Sequence, residues 1–509
     1  MNMRMNRSWA GITALAMALS LQGCGGDEDT TALVTQIPVN TPAAIAQVSA
    51  DDYDQNENGL ITAATLKRWK DDWLNERPAG ITGKLVILQV SAGPTSTTDA
   101  AYTANAAYIK PNNTNVFTYL SPSSEWIQTR SNGVIETASM VPDGASMDAL
   151  LKKYNIDPKN DMIVAAMGTG SNPNAMAQGR IWYALRYWGV DKKNLAVLNG
   201  GNSWLTAGVQ TFPDNLTGAD FQATASAAPN NGHASVKDLL VDNTQLQATV
   251  GDMLKALPSA DVNDKTDGVL IWDARSMGQF SAGLVAERSE RSCAVAYCAQ
   301  DPASDYMWTF QNSGSRQGHP NGTLQVQYTH FLNPSKGFSY RPKAFLAKLL
   351  NGGVTTAQDV ADGNATIAGI GFADASYAPV GEGNAYQEGD TIYAYCETTF
   401  RAMITGVASA VILGKPTRFY DGAMVEWNSL TYTTDATGNY ILPADSPWRT
   451  DVKSFFRPAT SNTLVAQRYI TDAYAKSSNA IIDADKAYKY GEVIPTAGTS
   501  APPANPCGG

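Results

Sequence analysis

The stretch that decides the fold is "TIYAYCETTFRAMITGVASAVI", residues 391–412. Its first five residues are β-branched, aromatic and apolar, which predicts a buried strand. From Phe400 onward the apolar pattern favours a helix. Cys396 stands at the turn between them, in a chain with five cysteines among 509 residues. The turn at Cys396 is therefore a candidate functional site.

A cysteine at a strand-to-helix turn is suited to nucleophilic chemistry. The reactive form is the thiolate, and a helix N-terminus or a neighbouring cation lowers the thiol pKa from its usual value of about 8.5. Amide groups of the turn and the helix dipole both favour an anion there. Cys396 is therefore a candidate covalent nucleophile. The alternative is a buried structural cysteine at a strand end.

Strands and helices alternate along the chain, which predicts an α/β fold with parallel sheets. The predicted strands are 83–90, 115–120, 161–167, 194–198, 267–274, 391–395 and 416–420. The predicted helices are 146–156, 174–189, 341–352 and 400–414.

The two halves are also similar in sequence, which indicates an internal duplication. The matched positions are Ala175-Met176 with Ala402-Met403, Gly179 with Gly406, Asn199-Gly200 with Asp421-Gly422, and Trp204 with Trp427.

Four segments of the second half resemble, in family order, motifs of the tandem-domain rhodaneses, a sulfurtransferase family. They are "DARSMGQF" (273–280), "GHPNG" (318–322), "CETTFRA" (396–402) and "YDGAMVEW" (420–427). The first half carries a version of the closing motif, "LNGGNSWLTAG" (198–208). The resemblance covers roughly residues 82–435.

The resemblance implies two rhodanese-like domains, each a parallel sheet flanked by helices. The first, 82–230, is expected to be non-catalytic, because its loop "GTGSNPNA" (168–175) has no cysteine. The family's Asp-x-Arg site is expected there in degraded form as "LSPSSEW" (120–126). The second, 235–435, is expected to be catalytic, with the active site between the two copies.

In this family the cysteine carries sulfur as a persulfide, which assigns that role to Cys396. Arg401, five residues later, fits the sulfurtransferase loop and is the expected cation beside the persulfide. Phosphatases of this general type place the arginine six residues after the cysteine, so a phosphatase or arsenate-reductase function ranks lower. The alternative for Arg401 is a solvated residue of the first helical turn.

The remaining loop residues are expected to form the substrate cradle: Glu397, Thr398, Thr399 and Phe400. Two of them depart from the family, which often has a basic residue or glycine at position 397 and glycine at 399. An acid beside the sulfur opposes both a thiolate and a dianion such as thiosulfate.

Three further residues are implied as supports of the site. Asp273 and Arg275 are expected to form an ion pair that shapes the pocket, and His319 is expected to act through hydrogen bonding.

The N-terminus is typical of a bacterial lipoprotein. A basic segment and a short apolar run end in Leu21-Gln22-Gly23-Cys24, which resembles a lipobox. We expect a signal peptide at 1–23, lipidation of Cys24 and a linker at 24–48. Residue 25 is glycine instead of the aspartate that retains lipoproteins at the inner membrane, which favours the outer membrane. The alternative is an ordinary signal peptide ending near a cysteine.

Outside these regions the predictions are modest. Cys293 and Cys298 could pair in an oxidising compartment, or could be two free thiols.

A helical lead-in at 49–81 contains Asp54, Asn56 and Asn58, which match the first half of a calcium loop, but Thr65 stands where a bidentate acid is needed. The alternative is an Asn/Gly turn with a helix cap. Residues 436–509 are expected to form a helical extension that packs back, followed by a flexible tail.

The function favoured by this sequence is sulfur transfer in the cell envelope. The expected partners are a small donor such as thiosulfate, 3-mercaptopyruvate or a polysulfide, a thiol or other thiophilic acceptor, and the membrane through Cys24. A net charge of -10 argues against nucleic acid as a partner. No cofactor or metal ion is expected. The alternative is a non-enzymatic scaffold or redox-sensing lipoprotein that binds an envelope protein.

Overall fold

The structure, a computed structural model, describes residues 37–96, 100–132, 136–256, 267–281, 319–320, 322–374, 376–431 and 479–491. The described residues from Pro38 onward belong to one compact unit. The predicted lipidation site Cys24, the cysteines Cys293 and Cys298, and most of the segment 281–317 lie outside the described residues.

Two five-stranded parallel sheets form the framework. The first contains β1 (Gly59–Ile61), β2 (Leu85–Gln89), β3 (Val116–Leu120), β4 (Met162–Ala166) and β5 (Leu195–Leu198). The second contains β6 (Gln247–Ala248), β7 (Val269–Asp273), β8 (Leu324–Gln325), β9 (Thr391–Tyr395) and β10 (Thr417–Tyr420). The predicted α/β class with two parallel sheets is confirmed.

The two sheets have the same strand order, β1-β5-β4-β2-β3 and β6-β10-β9-β7-β8. We call β1–β5 with their connections the first copy, and β6–β10 with theirs the second copy. In both copies the strand that leads to the candidate loop lies at the centre of its sheet. Strands such as β2 and β4 are buried along their whole length, because helices cover both faces of a parallel sheet.

The lead-in at 49–81 supplies an edge strand to the first sheet. Its strand β1 pairs in parallel with β5, with Gly59 beside Ala196 and Ile61 beside Leu198. In the second copy the short strand β6 pairs with β10 in the same position. The domain limits 82–230 and 235–435 stay predictions, but the first sheet begins upstream of residue 82.

Twelve α-helices are found among the described residues. They are α1 (Pro42–Ile45), α2 (Ala63–Asp71), α3 (Trp73–Glu76), α4 (Gly144–Tyr154), α5 (Asn172–Tyr187), α6 (Val250–Ala256), α7 (Met277–Ser281), α8 (Lys343–Leu350), α9 (Ala357–Ala361), α10 (Phe400–Val407), α11 (Ala423–Thr431) and α12 (Ala480–Tyr490). None of them, within the part of the chain described, is long and apolar enough to cross a membrane.

In the part of the chain that the structure describes, eight further strands form four antiparallel pairs. These are Tyr108–Ile109 with Phe221–Gln222, Gln128–Ser131 with Glu136–Met140, Trp204–Thr206 with Val209–Thr211, and Leu332–Asn333 with Ser339–Tyr340.

The helices α5 and α10, which follow the central strands of the two copies, pack against each other. Gly179 in α5 permits this approach, because a Cβ atom there would lie 2.7 Å from the Cβ atom of Met403 in α10. A π-helical stretch, Ala408–Ile412, continues α10. One hydrophobic core contains buried residues of both copies, so the copies are joined by apolar packing.

The predicted C-terminal helical extension is described in part, as α12. This helix packs on the first copy: Asp485 accepts hydrogen bonds from Arg130 at 2.7 Å and from the Tyr187 hydroxyl at 2.6 Å. Lys489 donates to the backbone carbonyl of Trp188 at 2.8 Å.

Candidate functional site

Cys396 follows β9 directly and is fully buried. Three residues of turn separate it from α10, which begins at Phe400. The start of α11 fixes this turn from the side. The Met424 amide donates to the Cys396 carbonyl at 3.1 Å, and the Val425 amide donates to the Glu397 carbonyl at 3.1 Å.

Thr399, the residue before α10, has a backbone φ of 66°. A β-branched residue rarely adopts this left-handed conformation, which glycine adopts freely. The Thr399 hydroxyl lies 3.0 Å from the carbonyl oxygen of Tyr420 and 2.9 Å from that of Asp421, so it can donate to either. These contacts tie the loop to the end of β10 and account for the tolerance of a threonine here.

Asp273 and Arg275 form the expected ion pair at the end of β7. The Arg275 Nη2 atom lies 2.7 Å from Asp273 Oδ2, and both side chains are fully buried. The Tyr395 hydroxyl donates to the same carboxylate at 3.0 Å. Since a buried charge is stable only when it is paired, each partner here requires the other.

Glu397 lies beside this ion pair. Its Oε2 atom accepts a hydrogen bond from Arg275 at 3.2 Å, and its side chain is 15% exposed. The acid that the sequence places next to the sulfur therefore has a cationic partner. Its charge is attenuated by Arg275, which reduces its repulsion of a thiolate.

Arg401 lies in the first turn of α10, half-buried. Its guanidinium donates to the side-chain oxygen of Gln279 in α7. The Gln279 amide in turn lies 3.5 Å from Glu397 Oε2. Gln279 was not singled out from the sequence, although it lies inside "DARSMGQF". Its position between two loop charges was visible only once α7 and the loop were placed together.

The other predicted site residues lie nearby. Thr398 is half-buried in the turn, and the Phe400 ring lies 5.9 Å from the guanidinium carbon of Arg180 in α5. His319 is buried, with Nδ1 2.8 Å from the Phe280 carbonyl oxygen and its ring stacked on Phe280. These contacts give His319 a hydrogen-bonding role in shaping α7.

The first copy contributes polar residues to the base of the candidate site. Arg180 forms a fully buried ion pair with Asp421, which also accepts the Val141 amide at 2.6 Å. Asn132 donates to Glu426 at 2.5 Å. Burial raises the pKa of Glu426 to about 7. These interactions link the closing motif of the second copy to the first copy.

The corresponding loop of the first copy has no cysteine. Its central strand β4 is followed by Met167, which stands where Cys396 follows β9. The loop then approaches the second copy, since a Cβ atom on Gly170 would lie 2.5 Å from the Gly337 carbonyl oxygen. The non-catalytic role of the first copy stays a prediction.

One motif match in the first copy was wrong. The segment "LSPSSEW" follows β3, whose counterpart is β8, whereas Asp273 ends β7, whose counterpart is β2. The structural equivalent of Asp273 is therefore Gln89, which is fully buried and donates to the Ala107 carbonyl at 2.6 Å. A neutral amide replaces the carboxylate of the second copy.

The match of Trp204 with Trp427 was also wrong. Trp204 lies half-buried in a β-hairpin, whereas Trp427 is fully buried in α11. The two copies diverge after Asn199-Gly200 and Asp421-Gly422, because one continues as a hairpin and the other as a helix.

The residues of the calcium-like loop have structural hydrogen bonds. Asn56 accepts the Ala50 amide at 2.8 Å and donates to the Leu60 carbonyl at 2.7 Å. Thr62 caps α2 by accepting the Thr65 amide. These hydrogen bonds are those of an Asn/Gly turn followed by a helix cap, which was the alternative to a calcium loop. Within the described residues no group of three or more His, Cys, Asp or Glu side chains could hold a metal ion.

A cleft of about 980 Å³ lies away from the candidate loop. Its lining includes Tyr53, Trp204 and Arg341, and none of residues 396–401. This cleft therefore does not provide a binding site at Cys396.

Comparison with known proteins gives distant likenesses only. No protein-family model matches the chain, and no curated protein matches it. Among solved structures, the Tum1 protein from Saccharomyces cerevisiae is similar, with 14% identity, coverage of 73% of this chain and 95% of that chain, and a TM-score of 0.42.

Two further solved structures are similar at the same level. The 3-mercaptopyruvate sulfurtransferase from Leishmania major has 13% identity, covers 72% of this chain and 74% of its own, and gives a TM-score of 0.34. A variant of EanB in complex with ergothioneine has 12% identity, covers 75% of this chain and 70% of its own, and gives a TM-score of 0.40.

Proposed function

We propose that this protein is a sulfurtransferase that carries sulfane sulfur as a persulfide on Cys396. The observation that carries the proposal is the position of Cys396 at the strand–turn–helix junction of the second copy, with methionine at the matching place in the first. The turn is held by α11 and by Thr399, so the nucleophile has a fixed position.

The transfer has two steps. The Cys396 thiolate attacks the sulfane sulfur of a donor R–S–SH, a new S–S bond forms, and the donor leaves as R–S⁻. An acceptor thiolate then attacks the outer sulfur, takes it as a persulfide, and the Cys396 thiolate is regenerated. No external oxidant or reductant is needed, because each step exchanges one bond to sulfur for another.

The proposal includes the cell envelope as the site of action. It is supported by the sequence "LQGC" at 21–24 after a short apolar run, which is suited to lipidation of Cys24. Labelling with a radioactive fatty acid in cells tests this part. Incorporation that is lost in Cys24→Ser is expected, and label retained in that variant would contradict it.

A second candidate function is favoured by the complete burial of Cys396. A buried thiol is suited to a structural role, in which the fold serves as a scaffold for an envelope partner. The glutamate directly after the cysteine is a further departure from the family that favours this candidate.

Intact mass of the purified protein separates the two candidates. The protein is incubated with thiosulfate, 3-mercaptopyruvate or inorganic polysulfide, beside Cys396→Ser as the matched control. Sulfur transfer predicts a gain of about 32 Da that Cys396→Ser lacks. No gain with any donor, with the thiol shown to be reduced, would contradict sulfur transfer and leave the scaffold.

A further inference from the structure

Two charges of opposite sign stand on the loop around Cys396. Glu397 follows the cysteine, and Arg401 lies one turn further on, in α10. Both are partly exposed, whereas Cys396, Asp273 and Arg275 are fully buried. Of these charged side chains, Glu397 and Arg401 are therefore the two that a donor in solution can contact.

An amide keeps the two charges apart. The side-chain oxygen of Gln279 accepts from Arg401, while its nitrogen lies 3.5 Å from Glu397 Oε2. The neutral amide of Gln279 forms a hydrogen bond with each charged group and leaves both charges in place. Without this spacer, an acid and a guanidinium four residues apart on one loop could pair directly with each other.

The carboxylate keeps one oxygen for a ligand. Glu397 Oε2 takes the contacts with Arg275 and Gln279. Among the described residues, no hydrogen-bond donor is recorded for Oε1. Arg275 cannot neutralise Glu397 fully, because its guanidinium is also bound by the buried carboxylate of Asp273. Among the groups that the structure describes, Glu397 Oε1 therefore stays available to accept a hydrogen bond from an ammonium group.

From this arrangement we propose that the loop selects a zwitterionic sulfur donor, an amino-acid persulfide whose ammonium group binds Glu397 and whose carboxylate binds Arg401. The inference rests on the proposed function, since it names the substrate class of the same site. Cysteine persulfide is the smallest donor of this class.

The same charges disfavour the anionic donors. Thiosulfate carries two negative charges and 3-mercaptopyruvate carries a carboxylate without an ammonium group, so neither offers a cation to the second oxygen of Glu397. Each would also bring further negative charge beside the Glu397 carboxylate, and repulsion between like charges at a partly desolvated site is unfavourable. In the transfer step Cys396 attacks the outer sulfur of cysteine persulfide, the S–S bond of the donor breaks, and cysteine leaves as its thiolate.

Three donors of nearly equal size test the inference. They are the freshly generated persulfides of cysteine, of cysteamine, which lacks the carboxylate, and of 3-mercaptopropionate, which lacks the ammonium group. The measurement is the initial rate of the 32 Da gain on Cys396 by mass spectrometry. We expect cysteine persulfide to be faster than either analogue by roughly tenfold or more, as expected for one lost charged hydrogen bond.

Two variants test separately the contact of Glu397 with the ammonium group and that of Arg401 with the carboxylate. In Glu397→Gln the preference for cysteine persulfide over the mercaptopropionate persulfide is expected to disappear, while the preference over the cysteamine persulfide remains. In Arg401→Gln the opposite pattern is expected. Glu388→Gln, which changes an acid whose side chain is 89% exposed and lies outside the loop, is the matched control and retains both preferences.

The outcomes separate this inference from the proposed function. Equal rates with all three donors in the unaltered protein would overturn the zwitterion selection and leave sulfur transfer standing. No gain in mass with any donor, inorganic polysulfide included, would contradict the proposed function itself. The donor series in the unaltered protein decides the inference even where a loop variant does not fold.

Discussion

The hydroxyl of Thr399 is what makes its left-handed backbone tolerable. With φ at 66°, a β-branched residue is strained by about 1–2 kcal/mol. The hydroxyl offsets this strain because it can donate a hydrogen bond to the carbonyl oxygen of Tyr420 or of Asp421. We expect Thr399→Val to lower the free energy of unfolding by about 1–3 kcal/mol, because it keeps the strain and leaves buried carbonyls without this donor.

Thr399→Gly is the matched comparison. It also loses the hydroxyl, but it relieves the strain, so we expect it to be more stable than Thr399→Val. Urea unfolding of both variants shows which of the two is more stable. If Thr399→Gly unfolds at lower urea than Thr399→Val, the strain argument is wrong.

Glu426 makes the folded state sensitive to pH. Burial raises its pKa from 4.5 to about 7, so the folded state holds a proton that the unfolded state has released between these values. Stability from this residue is fully present below about pH 4.5 and is lost as pH rises through 7. The complete loss is about 3 kcal/mol, from 1.36 kcal/mol per pKa unit.

The test compares urea unfolding of the protein and of Glu426→Gln at pH 5.5 and pH 8. We expect the difference in stability between the two pH values to be smaller in the variant, which cannot ionise but can still accept from Asn132. An equal pH dependence in both proteins would show that Glu426 does not titrate in this range.

At the residue scale, sequence reasoning proposed Cys396 as a candidate nucleophile and predicted only part of its surroundings. The ion pair of Asp273 and Arg275 was predicted, because both residues lie in one short motif. Gln279 and Arg180 were not, because their roles arise from contacts with elements distant in sequence. The bond from Arg275 to Glu397 joins residues 122 positions apart, which no local pattern reports.

At the element scale, the contact between α5 and α10 fixes the position of the candidate loop. A methyl group on Gly179 would lie 2.7 Å from Met403 Cβ, so Gly179→Ala must push the helices apart. The overpacking costs about 1–3 kcal/mol, against roughly 1 kcal/mol gained in helix propensity. We expect net destabilisation of about 1 kcal/mol and slower persulfide formation on Cys396.

Unfolding midpoints and the initial rate of persulfide formation are both measured for Gly179→Ala. The rate is the more specific readout, because α10 begins four residues after Cys396. A variant of higher stability and unchanged rate would contradict the close helix contact.

The central strands and the long edge strand β3 were predictable, and the three short edge strands were not. The strand 391–395 was predicted at its observed bounds, since its β-branched and aromatic residues favour a strand and end at the turn before α10. The edge strands β1, β6 and β8 are two or three residues long, too short to show a period. The left-handed turn at Thr399 was also missed, because no glycine marks it.

At the scale of the whole molecule, the ion pair of Arg180 and Asp421 joins the two copies. Both side chains are fully buried, so Arg180→Met leaves a carboxylate without its cation. We expect a loss of about 3–5 kcal/mol in the free energy of unfolding. The double variant with Asp421→Asn is expected to recover at least half of the loss, since the uncompensated charge is then removed.

Chemical denaturation of the single and double variants checks this coupling. If the two substitutions are additive, with no recovery, the buried pair contributes little to the joining of the copies.

The helix α12 has a consequence for the order in which the molecule can be completed during synthesis. Asp485 accepts a hydrogen bond from Tyr187, which lies 298 positions earlier in the chain, and another from Arg130. These two bonds attach α12 to the first copy. At ribosomal rates of about 5–20 residues per second, α12 is synthesised roughly 15–60 s after Tyr187. Through that interval the residues of the first copy are already synthesised but lack these two hydrogen bonds, so the N-terminal half depends on a segment that is made about 300 residues later.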